Sequence, residues 1–226
     1  MEYLTSNSEF LSYLESFGYV RKNKSIIRKT TPDTYLDLCV THRRSKPMGT
    51  NYYDLGIQIT YRKVTSLKGE KDFYLGIPDS LSANIGFLTP EATYMEFPVS
   101  DHDELQAKSA IKTIQMLIES YAIPFMEKYA CPRKLIADYE SGNIVGRIHL
   151  NKQTIALLYL IYEGKEKALQ YAKGQLDLLM ETEPLKPVMS VSERKVGEMD
   201  SITISIRGNE LPQFKDLYEK IKAFSP

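Results

Sequence analysis

Hydrophobic positions along this 226-residue chain change their period twice. Behind Ser6 and Glu9, whose spacing matches a capping box, apolar residues repeat at helical intervals, and Gly18 is placed to end that helix. From Tyr19 to about Val99 apolar and polar residues alternate instead, which is typical of strands with one buried face. The N-terminal part is therefore predicted to form a helix followed by a sheet.

Two strands carry this alternation most clearly, at residues 35–41 and 54–62. Half-polar strands of this kind belong to an antiparallel sheet that rests one face on a core. Turn residues separate further apolar runs, which predict short strands around residue 26 and at residues 73–77, 85–88 and 93–97.

The longest helical pattern follows the sheet. Ser100 and Asp103 have capping-box spacing, and apolar residues then recur at steps of four and three over about five turns. Pro124 lies where this pattern is still running, and Pro132 follows it. Because proline lacks a backbone donor but fits the first turn of a helix, we expect three segments, at about 101–122, 124–130 and 132–140.

The stretch "ESGNIVG", residues 140–146, is the predicted boundary between two parts. Residues 1–142 would form an α+β domain with the antiparallel sheet and the proline-broken helix. Residues 143–226 would form a mainly helical part, either separate or docked on the same core, with a helical hairpin, one strand at "SITISIR" and a terminal helix. The predicted fold class is α+β, with a meander-like antiparallel sheet packed against helices.

Composition narrows the functional classes. The 29 Lys and Arg residues balance the 29 Asp and Glu residues, so global charge argues against nucleic acid and against an anionic membrane as partners. The longest apolar run, residues 155–162, is far shorter than the roughly 20 residues that span a bilayer. Two cysteines without metal or redox spacing, and a start without signal-peptide features, predict a cytoplasmic protein with reduced thiols.

Three short motifs of the chain recur in a known order over about residues 5–140. Their residues are Gly18, Tyr19, Arg21, Lys22, Ile27, Arg28, Lys29, Leu55, Gly56, Ile57, Tyr121, Pro124 and Phe125. They resemble those of a bacterial domain-of-unknown-function family with an early "GF-x-K…YRK" strand, an "NLGI"-like strand and a helix ending "Y-x-x-PF". Ile27 stands where the family usually has Tyr, and "YDLGI" replaces "NLGI". The resemblance implies an α+β fold with an antiparallel sheet and implies no activity.

No catalytic, metal or cofactor site is predicted. The acids of "SDHDE", residues 100–104, point in different directions on a helix, where the helix dipole favours them in the first turn. His42, His102 and His149 lack ligand-type partners at helical spacing, and the chain has no phosphate-binding glycine loop. The sequence therefore favours a non-enzymatic protein.

One charge asymmetry remains, between Val20 and Lys46. Eight basic residues face two acids there, for a local net charge of +6. The candidate binding residues are Arg21, Arg28, His42, Arg43, Arg44, Tyr52 and Tyr53. Basic residues beside tyrosines can grip an acidic protein partner or a phosphate backbone. Alternatively, the charges only protect a sheet edge from pairing with other chains.

These observations favour an intracellular protein-interaction module that holds its partner on a sheet face or on the basic edge. One alternative is an enzyme whose site is assembled from distant residues, with His42 or His149 beside carboxylates in a cleft between the two parts. A weaker alternative is nucleic-acid binding by the basic segment, residues 20–46.

Overall fold

A seven-stranded antiparallel sheet organises the chain, as described by a computed structural model. The structure describes residues 4–45, 50–69, 79–100, 103–144, 148–182, 189–196, 199–206 and 210–224. The sheet contains β1 (Val20–Arg21), β2 (Ile26–Thr30), β3 (Thr34–Ser45), β4 (Thr50–Tyr61), β5 (Ser80–Asn84), β6 (Glu96–Ser100) and β7 (His149–Leu150). Their order is β1-β2-β3-β4-β5-β7, and β6 also pairs with β4.

Helices complete the α+β fold that the sequence predicts. They are α1 (Ser8–Glu15), α2 (Arg62–Gly69), α3 (Glu104–Leu117), α4 (Ile123–Tyr129), α5 (Pro132–Glu140), α6 (Lys152–Tyr162), α7 (Lys165–Thr182) and α8 (Glu210–Ala223). A separate two-stranded sheet pairs β8 (Met189–Val196) with β9 (Met199–Ile206). The strand predicted at "SITISIR" is β9, whereas β8 and α2 were not predicted. The strand predicted at residues 73–77 lies outside the described residues.

The alternation along β4 decides which face of the sheet is buried. Residues 51–61 alternate strictly between buried and half-buried side chains, and the buried set includes Leu55, Ile57 and Ile59. Strand β3 pairs with β4 along its whole length, from Thr34 opposite Tyr61 to Ser45 opposite Thr50. The buried set packs into the same hydrophobic core as helix residues. We call the opposite, half-exposed side of the sheet the open face.

Two strands share the second edge of β4. Residues 56–60 of β4 pair with β5, and residues 50–54 pair with β6. Between these strands the structure has a 3₁₀ turn, Ile85–Leu88, so the strand predicted at residues 85–88 is wrong. Asn84 caps this turn by accepting a hydrogen bond from the backbone N–H of Gly86 at 2.9 Å. Gly86 itself packs directly against the chain at Thr93 and Met95, where a side chain would not fit.

Both predicted capping boxes are displaced. Asn7, rather than Ser6, caps α1, because residues 4–6 form their own 3₁₀ turn. Asp103, rather than Ser100, caps α3 and accepts from the backbone N–H of Gln106 at 2.9 Å. Ser100 still pairs with Thr50 in the sheet, so the chain turns into the helix only after that residue.

The predicted interruption at Pro124 is a π-helical turn, Ile118–Ala122, between α3 and α4. The backbone N–H of Ile123 donates to the carbonyl of Ile118, five residues earlier. Proline has no N–H, and in α geometry its ring collides with the carbonyl four residues earlier; the wider turn relieves that collision. Pro132 begins α5, as predicted. The Asp138 carboxylate links α5 to α4: it forms an ion pair with Lys128 at 2.5 Å and accepts a hydrogen bond from the Tyr129 hydroxyl at 3.0 Å.

Residues on both sides of Gly142 contribute to one hydrophobic core. Helix α6 is buried along most of its length, and the core contains its residues together with those of β3, β4 and α4. Strand β7 joins the sheet by pairing with β5. The division into residues 1–142 and 143–226 stays a prediction. No helix in the described part of the chain is long and apolar enough to cross a membrane.

Replacing Asp103 with alanine should lower the free energy of unfolding by about 1 kcal/mol, because α3 loses its cap. Asp103→Asn is the matched control: asparagine caps as well as aspartate and should leave stability nearly unchanged. Chemical denaturation measures both variants. An unchanged midpoint for Asp103→Ala would show that the helix does not begin at this residue.

Gly86→Ala should destabilise the protein by about 2 to 3 kcal/mol, because the new Cβ overlaps the backbone carbonyl oxygen of Thr93 and lies 2.5 Å from Met95 Cγ. Gly174→Ala, on the exposed side of α7 where a Cβ meets nothing within 4 Å, should instead stabilise by up to about 1 kcal/mol. Urea titrations of the two variants give the comparison. Equal midpoints would contradict the close approach at Gly86.

Candidate binding site on the open sheet face

Gly56 creates a concavity in the middle of the open face. Its strand neighbours carry side chains, so the missing side chain at this position leaves a depression between β3 and β5. The depression has a volume of about 360 Å³. It is lined by Cys39, Asp54, Gly56, Ile57, Gln58, Ser82, Ala83, Asn84, Phe87 and His149. We call it the Gly56 concavity. Because it lies on a regular sheet, its floor is rigid hydrogen-bonded backbone.

The side-chain amide of Asn84 fixes one wall of the Gly56 concavity. Its Nδ2 donates to Asp54 Oδ1 at 2.7 Å and to the carbonyl of Met95 at 3.1 Å. Its Oδ1 accepts from the backbone N–H groups of Gly86 at 2.9 Å and Met95 at 3.0 Å. One side chain therefore joins β4, the end of β5 and the segment leading into β6. This wall is preformed, since the amide uses both its donor and its acceptor.

Aromatic side chains stand beside this wall. Phe87 lines the concavity, and its ring centroid lies 6.4 Å from that of Tyr94, which is half exposed. Burial and the nearby Asp54 carboxylate raise the pKa of Tyr94 to about 12, so its hydroxyl remains a neutral hydrogen-bond donor. The rim thus offers flat apolar surface together with a polar group, the combination found at protein interfaces.

The groups in the Gly56 concavity suit hydrogen bonding better than nucleophilic chemistry. Burial, followed by the effect of Asp37, raises the pKa of the Cys39 thiol to about 11, so little thiolate exists at neutral pH. The Asp54 carboxylate already accepts the Asn84 amide. Ser82 and His149 remain available to a ligand. Among the described residues, no group of three or more His, Cys, Asp or Glu could hold a metal ion.

The predicted binding residue Arg28 lies on the open face, but its guanidinium is bonded within the sheet. Its guanidinium forms two hydrogen bonds of 2.7 Å to Asp37, which stands directly opposite it and is only 3% exposed. The same guanidinium lies 4.3 Å from the ring centroid of Tyr35, and Arg62 lies 5.3 Å from that centroid. The hydrogen bonds that Arg28 donates to Asp37 raise the pKa of Arg28. This end of the open face is therefore covered by its own side chains.

Arg43 and Tyr52 form a second pair on the open face. The guanidinium of Arg43 lies 4.2 Å from the ring centroid of Tyr52 and bonds both carboxylate oxygens of Glu96, at 3.2 and 2.6 Å. Arg43 is 61% exposed, and its hydrogen bonds lower the pKa of Glu96. These side chains extend the rim of the Gly56 concavity toward the end of the hairpin at which Ser45 and Thr50 pair.

The remaining predicted binding residues lie away from the Gly56 concavity. His42 and Tyr53 stand opposite each other on the other side of the sheet, with rings stacked at 5.7 Å, and Arg44 shares that side. Arg21 lies on the short edge strand β1. Lys46 and His102 lie outside the described residues. Within the described part of the chain, the predicted basic patch is thus distributed over two faces, and Arg28, Lys29 and Arg43 are paired with Asp37, Glu127 and Glu96.

Sequence reasoning missed the Gly56 concavity, although a signal was present. A single glycine inside a strictly alternating strand marks a place where another group approaches closely or a side chain is absent. The other lining residues come from four strands and from the 3₁₀ turn Ile85–Leu88, which are spread over more than 100 residues of the sequence. Among the lining residues, only His149 is a functional candidate from the sequence, where it belongs to the alternative enzyme site in a cleft between the two parts of the chain.

Comparison of the chain with protein families, with curated proteins and with solved structures finds no match. The resemblance to the bacterial family stays a prediction.

Arg28→Ala should destabilise the protein by about 3 kcal/mol, since it leaves the buried Asp37 carboxylate without its partner. Arg43→Ala is the matched control, because its ion pair is exposed to solvent and should contribute much less to stability. The denaturant midpoints of both variants measure how much stability each substitution removes. If the two substitutions cost the same, the Arg28–Asp37 pair does not stabilise the sheet as argued.

Proposed function

We propose that this chain is a non-enzymatic protein-interaction module that holds a protein partner on the open face, with one side chain of the partner inserted in the Gly56 concavity. The observation that carries the proposal is the concavity itself, a preformed depression at the centre of a half-polar sheet face. Interfaces concentrate their binding energy in such central, pre-organised depressions, which accept an anchor residue.

The chemistry of the face favours a protein over a charged polymer as partner. Arg28 and Arg43 are both paired with carboxylates, so the open face has little net positive charge. What it offers are aromatic rings at Phe87 and Tyr94 and hydrogen-bonding groups at Ser82 and His149. Aromatic surface with scattered polar groups is typical of protein interfaces. The predicted acidic partner would instead need the exposed basic residues away from this face.

The proposal retains the cytoplasmic setting expected from the sequence. Cys39 and Cys131 are both free thiols, as is usual in reducing compartments.

One observation favours a second candidate, an enzyme. His149, from the C-terminal part, lines the same concavity as Asp54 of the sheet. That arrangement matches the alternative of a histidine and a carboxylate brought together between the two parts. Against it, burial keeps the thiol of Cys39 protonated, so the concavity offers no activated cysteine nucleophile.

Filling the concavity tests the proposal. In Gly56→Tyr the new Cβ makes ordinary contacts, 3.6 Å from the carbonyl oxygen of Ala83 and 3.7 Å from Cys39 Cβ, and the ring occupies the concavity. Gly174→Tyr, on the exposed side of α7, is the matched control. Tagged forms of both variants and of the wild type are used to capture proteins from nuclease-treated lysate of the source cells, after melting curves have shown that all three are folded.

A protein captured by the wild type and by Gly174→Tyr should be captured at least about tenfold less by Gly56→Tyr. In a Cys131→Ser background the purified partner should also slow alkylation of Cys39, which lines the concavity. Equal capture by Gly56→Tyr, or capture of nothing by the wild type, would contradict the proposal. A parallel capture from untreated lysate separates the two classes of partner: material that is captured there but not from nuclease-treated lysate would indicate nucleic acid instead.

A further inference from the structure

A second cavity lies on the other side of the sheet, beside Val40, His42 and Tyr53 of β3 and β4. Its volume is about 300 Å³. It is lined by Leu4, Thr5, Lys24, Ser25, Val40, Thr41, His42 and Tyr53. We call it the N-terminal cavity, because the 3₁₀ turn Leu4–Ser6 and the loop between β1 and β2 close it. It is separated from the Gly56 concavity by the sheet, so it does not depend on the proposed partner site.

The walls of the N-terminal cavity are tied together by hydrogen bonds. Thr5 Oγ1 donates to the carbonyl of Lys24 at 2.7 Å, which fastens the 3₁₀ turn to the β1–β2 loop. The backbone N–H of Val40 donates to the carbonyl of Ser25 at 2.7 Å, which fastens that loop to β3. The cavity therefore exists before any ligand arrives, and a ligand would not need to order the chain around it.

The floor of the N-terminal cavity is apolar. Leu4, Val40 and Tyr53 are each no more than 5% exposed, and the ring of Tyr53 is stacked with that of His42. A flat ring or a short branched chain fits against such a floor and gains the free energy of burying its apolar surface.

The mouth of the cavity is basic. Lys24 and His42 are both exposed there, and Ser25 adds a hydroxyl donor, whereas none of the eight lining residues is an Asp or Glu. We infer that the N-terminal cavity binds a small hydrophobic anion, a carboxylate or phosphate ester, whose charged end lies at Lys24 and His42 and whose apolar end contacts Tyr53. The ligand would be selected by two interactions together: charge-assisted hydrogen bonds at the mouth of the cavity and the apolar contact with its floor.

Phenylacetate and phenyl phosphate are suitable probes, with phenethylamine as a ligand that keeps the ring but reverses the charge. Titration into ¹⁵N-labelled protein should shift the backbone amide signals of Ser25 and Thr41, with a Kd of about 1 mM or tighter for at least one anion. Phenethylamine should bind at least about tenfold more weakly than that anion.

Lys24→Met removes the charge but keeps the length of the side chain, and it should weaken anion binding at least about fivefold. Lys22→Met, on the same loop but outside the cavity, should leave it unchanged. The inference is overturned if neither anion shifts these amides, if phenethylamine binds as tightly as the anions, or if the two lysine variants behave alike. Shifts confined to Gln58 and Ser82 would place the anion on the open face and would also overturn it.

Discussion

The pleat of β4 is the constraint on which the other features of this fold depend. Because neighbouring side chains of a strand point to opposite sides, the alternating residues of β4 must supply both the hydrophobic core and the open face. A shift of pairing by one residue would place Asp54 and Gln58 in the core and Leu55 and Ile57 in solvent. The burial of the apolar set therefore fixes the register with β3, β5 and β6, and through that register the position of every group around Gly56.

This constraint also explains which parts of the fold the sequence predicts correctly. The alternation of β3 and β4, the apolar pattern of α6 and the start of α5 at Pro132 are local and strong, and all are found in the structure. The run at Ile85–Leu88 has strand-forming composition, yet Asn84 and the close packing of Gly86 impose a 3₁₀ turn. That outcome depends on Met95, a residue that joins the turn only through tertiary contacts.

The two proposed binding regions also depend on tertiary contacts, which local sequence patterns do not contain. A list of basic residues near tyrosines predicts a single patch, but the pleat sends Arg43 and His42 to opposite faces, although they are adjacent in the chain. Carboxylates from distant positions, Glu96 and Glu127, then pair with charges that the sequence presents as unbalanced. Conversely, the Gly56 concavity needs three strands and a histidine from β7, and no short motif contains that combination.

The π-helical turn between α3 and α4 has a further consequence. Such a turn is equivalent to one extra residue in an α-helix, and each residue turns the helix by about 100°. The π-helical turn takes up that extra residue, so Ile123, Met126 and Tyr129 of α4 face the same core as Ile114 and Leu117 of α3. One helical rod thus keeps a single buried face although the spacing of its buried residues changes, and a regular α-helix through the same residues would turn Ile123, Met126 and Tyr129 about 100° away from the core.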